Sequence, residues 1–311
     1  MTNRKKDNKI DFRPLTLEDK PRYERLLAES GERGCEYSFA NLYLWGRQGV
    51  SLRDGAALIF SQFNRRSVYP YPLGNGEIMA SLDAIIADAR KRGIACRISG
   101  ITDTAKATLE SLYTDRFRYH SDEDSYDYVY SVDDLADLPG KKYDAKRNHI
   151  YRFREAFPDS SLEPVTADNL SEVEDFVSEW YKKRLADNPD ADFHMERAAI
   201  SKALRDGEAL GLVSIILRGG GRILAVTMAS RLSEDTMDVH FEKARTDIQG
   251  AYAAINCALA RHVREKYPEI KYLNREEDMG IEGLRKAKRS YHPHHMVKKW
   301  WACLLEEEYE Y

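Results

Sequence analysis

ALGLVSIILRGGGRILAVTMASRLSEDTMDVHFEKARTDIQGAYAAINCALARHV, residues 209–263, is the stretch that decides the fold. Two apolar runs, 209–217 and 222–232, flank Gly219-Gly220-Gly221, a hairpin signal because glycine tolerates the positive φ that tight turns demand. Ser233-Glu234-Asp235-Thr236 turns the chain again into a third run, 237–244. There Met237, Val239 and Phe241 alternate with Asp238, His240 and Glu242, which puts three ionisable side chains on one strand face. Gly250 then opens a helix whose stripe is Tyr252, Ile255, Leu259 and Val263. The pattern predicts a three-stranded meander followed by one long helix.

Working outward, residues 161–166 read as a strand. Leu170, Val173, Phe176, Val177, Trp180 and Tyr181 give a helix over about 168–185. Met195, Ala199, Ile200, Ala203 and Leu204 give another that stops at Gly207. Beyond the long helix come a strand at 270–275, a helix at 281–290 and a strand at 296–305. The element order of the second half is β-α-α-β-β-β-α-β-α-β.

The start of this half echoes the start of the chain. DFRPLTLEDKPRYERLL (11–27) aligns without a gap on SLEPVTADNLSEVEDFV (161–177). Pro14 falls on Pro164, Thr16 on Thr166, and Tyr23, Leu26 and Leu27 on Val173, Phe176 and Val177. A weaker echo links 93–103 to 269–278. Internal repetition of this kind predicts tandem domains. The polar stretch 131–150, with Pro139-Gly140, marks the boundary, giving domains 1–140 and 141–311.

Bulk properties bound the function. Of 311 residues, 42% are hydrophobic and 32% charged, so a packed core is expected. The net charge of −4 excludes a polycation built to coat nucleic acid. Cys35, Cys96, Cys257 and Cys303 show no C-x-x-C spacing, which argues against a zinc knuckle and fits a reduced, cytoplasmic setting. The basic N-terminus is followed by no apolar segment, so no secretory leader is expected. No run of about 18 apolar residues exists, so no transmembrane span is expected. His292, His294 and His295 have no carboxylate or cysteine at ligand spacing, and no metal is assigned to them.

The order of elements matches the GNAT acyltransferase fold. Moreover, CEYSFANLYLWG (35–46), KKYDAKRNHIYRF (141–153), HFEKARTDIQGAY (240–252) and NREEDMGIEGLRKAKRSYHP (274–293) resemble the bacterial family of phosphatidylglycerol lysyltransferase C-terminal-like proteins. That family belongs to the tandem-GNAT group, with the Fem-type aminoacyl transferases. Lys288, Tyr291 and Pro293 match its F-K-x-K-F-x-P pattern, with Ser290 in place of the second lysine. The resemblance implies an α+β fold of two tandem GNAT-like domains, each a mixed, mostly antiparallel sheet flanked by helices. It also implies a notch between the third meander strand and the strand after the next helix, where the acyl donor enters. The activity it implies is transfer of an aminoacyl group from aminoacyl-tRNA to an amine or lipid hydroxyl. In this sequence Asp247 stands where the acetyltransferase phosphate loop has Gln or Arg, and an acid there repels a pyrophosphate.

Acyl transfer needs a base, a donor-positioning surface and an oxyanion partner. Glu276, Glu277 and Asp278 sit where the fifth core strand ends and are candidate bases; plain helix capping competes. Glu242 is the candidate base on the strand face, and Tyr291 a candidate general acid or stacking ring. Arg245, Gln249, Gly250 and Ala251 open the long helix, whose free N–H groups attract donor phosphate. Asn274 and Arg275 are candidates to hold a donor carbonyl or phosphate, and Lys288 to hold phosphate. Lys141, Lys142, Lys146 and Arg147 form a basic patch suited to a tRNA acceptor stem, and a lipid acceptor would be reached from a membrane surface. Two alternatives stand beside aminoacyl transfer: an N-acetyltransferase using acetyl-CoA, and a ligand-binding GNAT-like protein without catalysis.

Overall fold

The computed structural model describes residues 9–63 and 66–305; the basic residues 1–8 lie outside them. Two compact units divide the chain: one runs to Tyr126 and takes the chain back from Lys298, and the other is Asp127–Val297.

In the first unit, α1 (Lys20–Ser30) and α2 (Phe39–Trp45) precede a meander of β1 (Gln48–Arg53), β2 (Ala56–Phe63) and β3 (Arg66–Pro70). Then come α3 (Ile78–Arg92), β4 (Arg97–Ile101), α4 (Asp103–Leu112) and β5 (Phe117–Ser121). The second unit opens with β6 (Asp127–Ser131), α5 (Val132–Asp137), α6 (Asp144–Ala156) and β7 (Ser161–Pro164). It continues with α7 (Leu170–Asp187), α8 (His194–Leu210) and the meander β8 (Val213–Gly219), β9 (Arg222–Arg231) and β10 (Thr236–Ala244). It ends with α9 (Ala251–Lys266), β11 (Tyr272–Asn274), α10 (Glu282–Arg289) and β12 (His295–Val297), after which β13 (Trp300–Leu304) returns to the first unit.

Among the described residues the sheets run β1-β2-β3-β4-β13-β5 and β12-β6-β11-β10-β9-β8-β7. The second sheet is therefore built from one continuous stretch, whereas the first takes β13 from chain that follows the second. β6 comes after β5 in sequence yet pairs antiparallel with β11 and β12. β13 comes after β12 yet pairs antiparallel with β4 and β5. β6 lies one strand in from the edge, with Asp127, Tyr128, Val129 and Tyr130 buried.

The two aligned segments share a side-chain-closed turn ahead of a helix, although 161–164 is a strand and 11–14 holds only a bridge at Arg13. The Thr16 N–H donates to the Asp19 carboxylate at 2.8 Å, and the Thr166 N–H donates to the Asn169 side-chain oxygen at 2.8 Å. Each closes a turn just before a helix. Tyr23, Leu26 and Leu27 are buried, as are Val173, Phe176 and Val177. The α9 stripe packs Ile255, Leu259 and Val263 into the core of the second unit with Tyr130, Val213, Ile215 and Leu273. Such side chains contribute roughly 2 kcal/mol each before ordering entropy.

Three sequence expectations are corrected. The units part at 126/127, not 140/141, because Pro139-Gly140 belongs to the α5–α6 connection inside the second unit. The strand expected over 296–305 is two strands in different sheets, and alternation carries no information about which sheet a strand joins. Tyr252, expected on the buried stripe of α9, is 37% exposed.

Candidate active site

β10 and β11 pair in parallel at Thr236↔Tyr272, Met237↔Leu273 and Asp238↔Asn274 only. β10 then runs on to Ala244, paired on its other edge with β9 as far as Ala244↔Ala225. From Val239 onward the two strands have parted. The first unit differs: β3 stays bonded to β4 up to its last residue, Pro70↔Ser99. The notch is thus a feature of the second unit, where a strand edge is free to offer backbone groups to a ligand.

Glu242 lies on the parted length of β10. Arg275, one residue past β11, donates to its Oε1 at 2.9 Å, and Asn256 on α9 approaches its Oε2 at 3.4 Å. Their side chains are 9% and 16% exposed, so the Glu242–Arg275 pair is nearly desolvated. Burial disfavours the Arg275 charge, but Glu242, Tyr130 and Tyr291 together outweigh it and the guanidinium is held above its ordinary range. Arg275 also lies over the rings of Tyr130 and Tyr291, at 5.8 and 5.3 Å.

Tyr291 completes one wall. Burial, resisted by Arg275 and aided by Glu242, pushes its hydroxyl up to about 12, so it stays protonated and can donate. Lys146 of α6 sits 3.9 Å from the Tyr291 ring centre and donates to Ser290 Oγ at 2.7 Å. Burial first, and the Arg275 charge second, lower the Lys146 ammonium from its usual value. A carboxylate, two cations and a protonated phenol therefore converge at the notch.

The acid cluster divides. Asp278 is fully buried and accepts from Tyr128 at 2.6 Å, from Arg285 twice at 2.8 Å and from the Gly280 N–H at 2.9 Å. The Arg285 hydrogen bonds outweigh burial and hold its carboxyl far below the usual range, so it cannot serve as a base near neutrality. Lys288 is buried and donates to the carbonyls of Arg275, Glu276 and Glu277 at 2.5, 3.0 and 2.6 Å, which directs it to the loop rather than to phosphate. Through Arg285 and Lys288, the basic helix bonds back to the acidic turn that precedes it. Asn274 is buried; it donates to Asp127 at 2.9 Å and accepts the Glu276 N–H at 2.8 Å, so it braces β6 and the turn. Glu276, at φ +57°, is half-buried beside His240, and Glu277 is half-buried.

The donor-phosphate candidates are scattered. Arg245 donates to the Ile223 carbonyl and to Glu179. Gln249 is exposed and Ala251 buried. Gly250 has φ +85°, and a Cβ there would lie 2.1 Å from the His149 carbonyl oxygen. That carbonyl, with exposed Asp247, makes the start of α9 a poor anion cradle. Within the basic patch, Lys142 pairs with Asp134, Arg147 bonds to Leu138, Gly140 and Asp144, and only Lys146 joins the notch cluster. Asn256 and Tyr130 were not singled out in the sequence. The signal for Asn256 was an amide inside an otherwise apolar helix stripe; Tyr130 gave none beyond strand alternation.

Parted parallel strands, a long helix between them and a carboxylate at the parting define a GNAT-like fold of the acyltransferase type. The chain belongs to the phosphatidylglycerol lysyltransferase C-terminal family, whose match covers residues 27–303. A conserved protein of unknown function from Bacteroides thetaiotaomicron VPI-5482 is 39% identical, with 95% of this chain and 100% of that chain covered and a TM-score of 0.88. L-PGS from Bacillus licheniformis is 16% identical, with 97% and 96% covered and a TM-score of 0.68. FemX is 10% identical, with 94% and 96% covered and a TM-score of 0.61; these two likenesses show the fold. No curated protein matches the sequence significantly. No described helix is long and apolar enough to cross a membrane.

Proposed function

We propose that the second unit transfers an aminoacyl group from aminoacyl-tRNA to an amine or a lipid hydroxyl at the notch between β10 and β11. The observation that carries this reading is the buried Glu242–Arg275 pair on the parted strands, with protonated Tyr291 beside it. In the reaction the acceptor N or O attacks the ester carbonyl carbon, its proton passes to Glu242 directly or through water, and the ester C–O bond breaks. Tyr291 gives its proton to the departing ribose oxygen and is reprotonated from Glu242. Arg275 and Lys146 stabilise the oxyanion of the tetrahedral intermediate. The tRNA acceptor stem and a lipid headgroup both present phosphate, which suits exposed Lys286 and Arg289. Charged tRNA places the reaction in the cytoplasm, and a lipid acceptor would be met at the membrane surface. The matched turns at Thr16 and Thr166 support an origin of the two units by duplication.

The test is transfer of label from tRNA charged with a mixture of radioactive amino acids, offered phosphatidylglycerol vesicles or small amines. Wild type is expected to move label out of tRNA, and Glu242→Gln and Tyr291→Phe to slow it at least ~100-fold with the fold retained. A thermal shift with acetyl-CoA and no transfer from tRNA would favour an N-acetyltransferase. Indifference to both would favour a ligand-binding protein without catalysis.

A further inference from the structure

Asp238, His240 and Glu276 meet where β10 leaves β11, and the proposed transfer leaves them unused. Asp238 is the last residue of β10 paired with β11, opposite Asn274. His240 sits at a register shift between Val239 and Phe241, an irregularity of the kind that re-aims a side chain. Glu276 follows β11 in a left-handed conformation, φ +57°, which is uncommon for a residue with a Cβ. Three separate backbone features thus converge on one point.

The His240 side chain is fully buried, and its Nδ1 has no hydrogen-bond partner among the described residues. Nδ1 faces two carboxylates, 3.5 Å from Asp238 Oδ2 and 3.7 Å from Glu276 Oε1. The three ligand atoms all lie within 4.8 Å of one another. A charge-assisted hydrogen bond would draw such a pair to about 2.8 Å. Ligands about 2.1 Å from a tetrahedral ion instead stand about 3.4 Å apart. The other ring nitrogen, Nε2, is held by Ser230 Oγ at 2.8 Å, the outer contact that fixes ring orientation in metal sites. The Asp238 side chain is fully buried and that of Glu276 is 24% exposed, so one side of the cluster is reachable from solvent.

We infer that Asp238, His240 and Glu276 bind one first-row divalent cation of the zinc class, which pins the strands at the point where they part. One imidazole nitrogen and two carboxylate oxygens suit such an ion, and three protein ligands leave a fourth position open. Because the ligands come from both sides of the parting, a bound ion would fix the geometry of the notch. The inference stands independently of the transfer reading.

The experiment is zinc titration of full-length, chelator-stripped protein, read by equilibrium dialysis and by thermal melting. The wild type is expected to take up about one zinc per chain and to melt at a higher temperature with it. Glu276→Gln and His240→Gln should each weaken binding by at least tenfold, and Ser230→Ala by about ten- to a hundredfold. Glu276→Gln, half-buried in a loop, guards against a variant that fails to fold. The double variant His294→Gln/His295→Gln, which removes the neighbouring exposed imidazoles, should bind zinc as the wild type does. Zinc uptake unchanged by Glu276→Gln, uptake abolished by the His294/His295 variant, or no uptake by the wild type would each overturn the site.

Discussion

Asp278 accepts four hydrogen bonds in a site closed to solvent, and its carboxyl is held well below its ordinary value. A depressed folded pKa contributes stability that is present above the unfolded value, about 4, and is lost as pH falls below it toward the folded value. Wild type should therefore lose on the order of 2 kcal/mol of unfolding free energy between pH 5 and pH 2 through this residue. Asp278→Asn should be less stable near neutrality and should lose less on acidification. Urea unfolding across that range checks this; parallel pH profiles would contradict it. Adjacent acids that look alike in sequence have different partners here. Asp278 holds the turn, Glu276 faces His240, and neither needs to be the base. In the proposed transfer the base is Glu242, on the parted length of β10.

At the level of elements, α9 carries the clearest test of packing. Gly250 starts it at φ +85° with the His149 carbonyl of α6 against its Cα, so an added methyl has no room and the backbone angle is strained as well. Gly250→Ala should destabilise the protein by about 2 kcal/mol, seen as a lower denaturant midpoint. An unchanged midpoint would show that α6 yields freely. The elements of the second half were legible because their apolar periods are strong: Ile255, Leu259 and Val263 for α9, and alternation for β9 and β10. The bulge at His240 was not, since alternation continues through it in sequence while the pairing register shifts. That shift is part of why Asp238 and His240 meet Glu276 while Glu242 turns to Arg275. Lys146 was legible only as a charge, because a basic helix reads the same whether a lysine faces water or lies over the ring of Tyr291.

On the scale of the whole molecule, the return of β13 binds the first sheet to chain far away in sequence. Stopping the chain after Val297 removes β13 from between β4 and β5. Hydrogen exchange should then show lost protection in β4 and β5, with β8, β9 and β10 largely retained. Unchanged protection in β4 would mean that the first sheet closes without its returning strand. The boundary at 140/141 follows loop composition, whereas the units part where β6 joins the second sheet by pairing with β11 and β12. The proposed transfer requires an acyl carbonyl to reach the parted strands of the second unit. The most direct measurement is a crystal structure with a non-hydrolysable aminoacyl-adenosine amide. We predict its carbonyl between β10 and β11, within hydrogen-bond reach of Tyr291 and beside Glu242. The amide bound elsewhere on the chain, with Glu242 and Arg275 untouched, would contradict it.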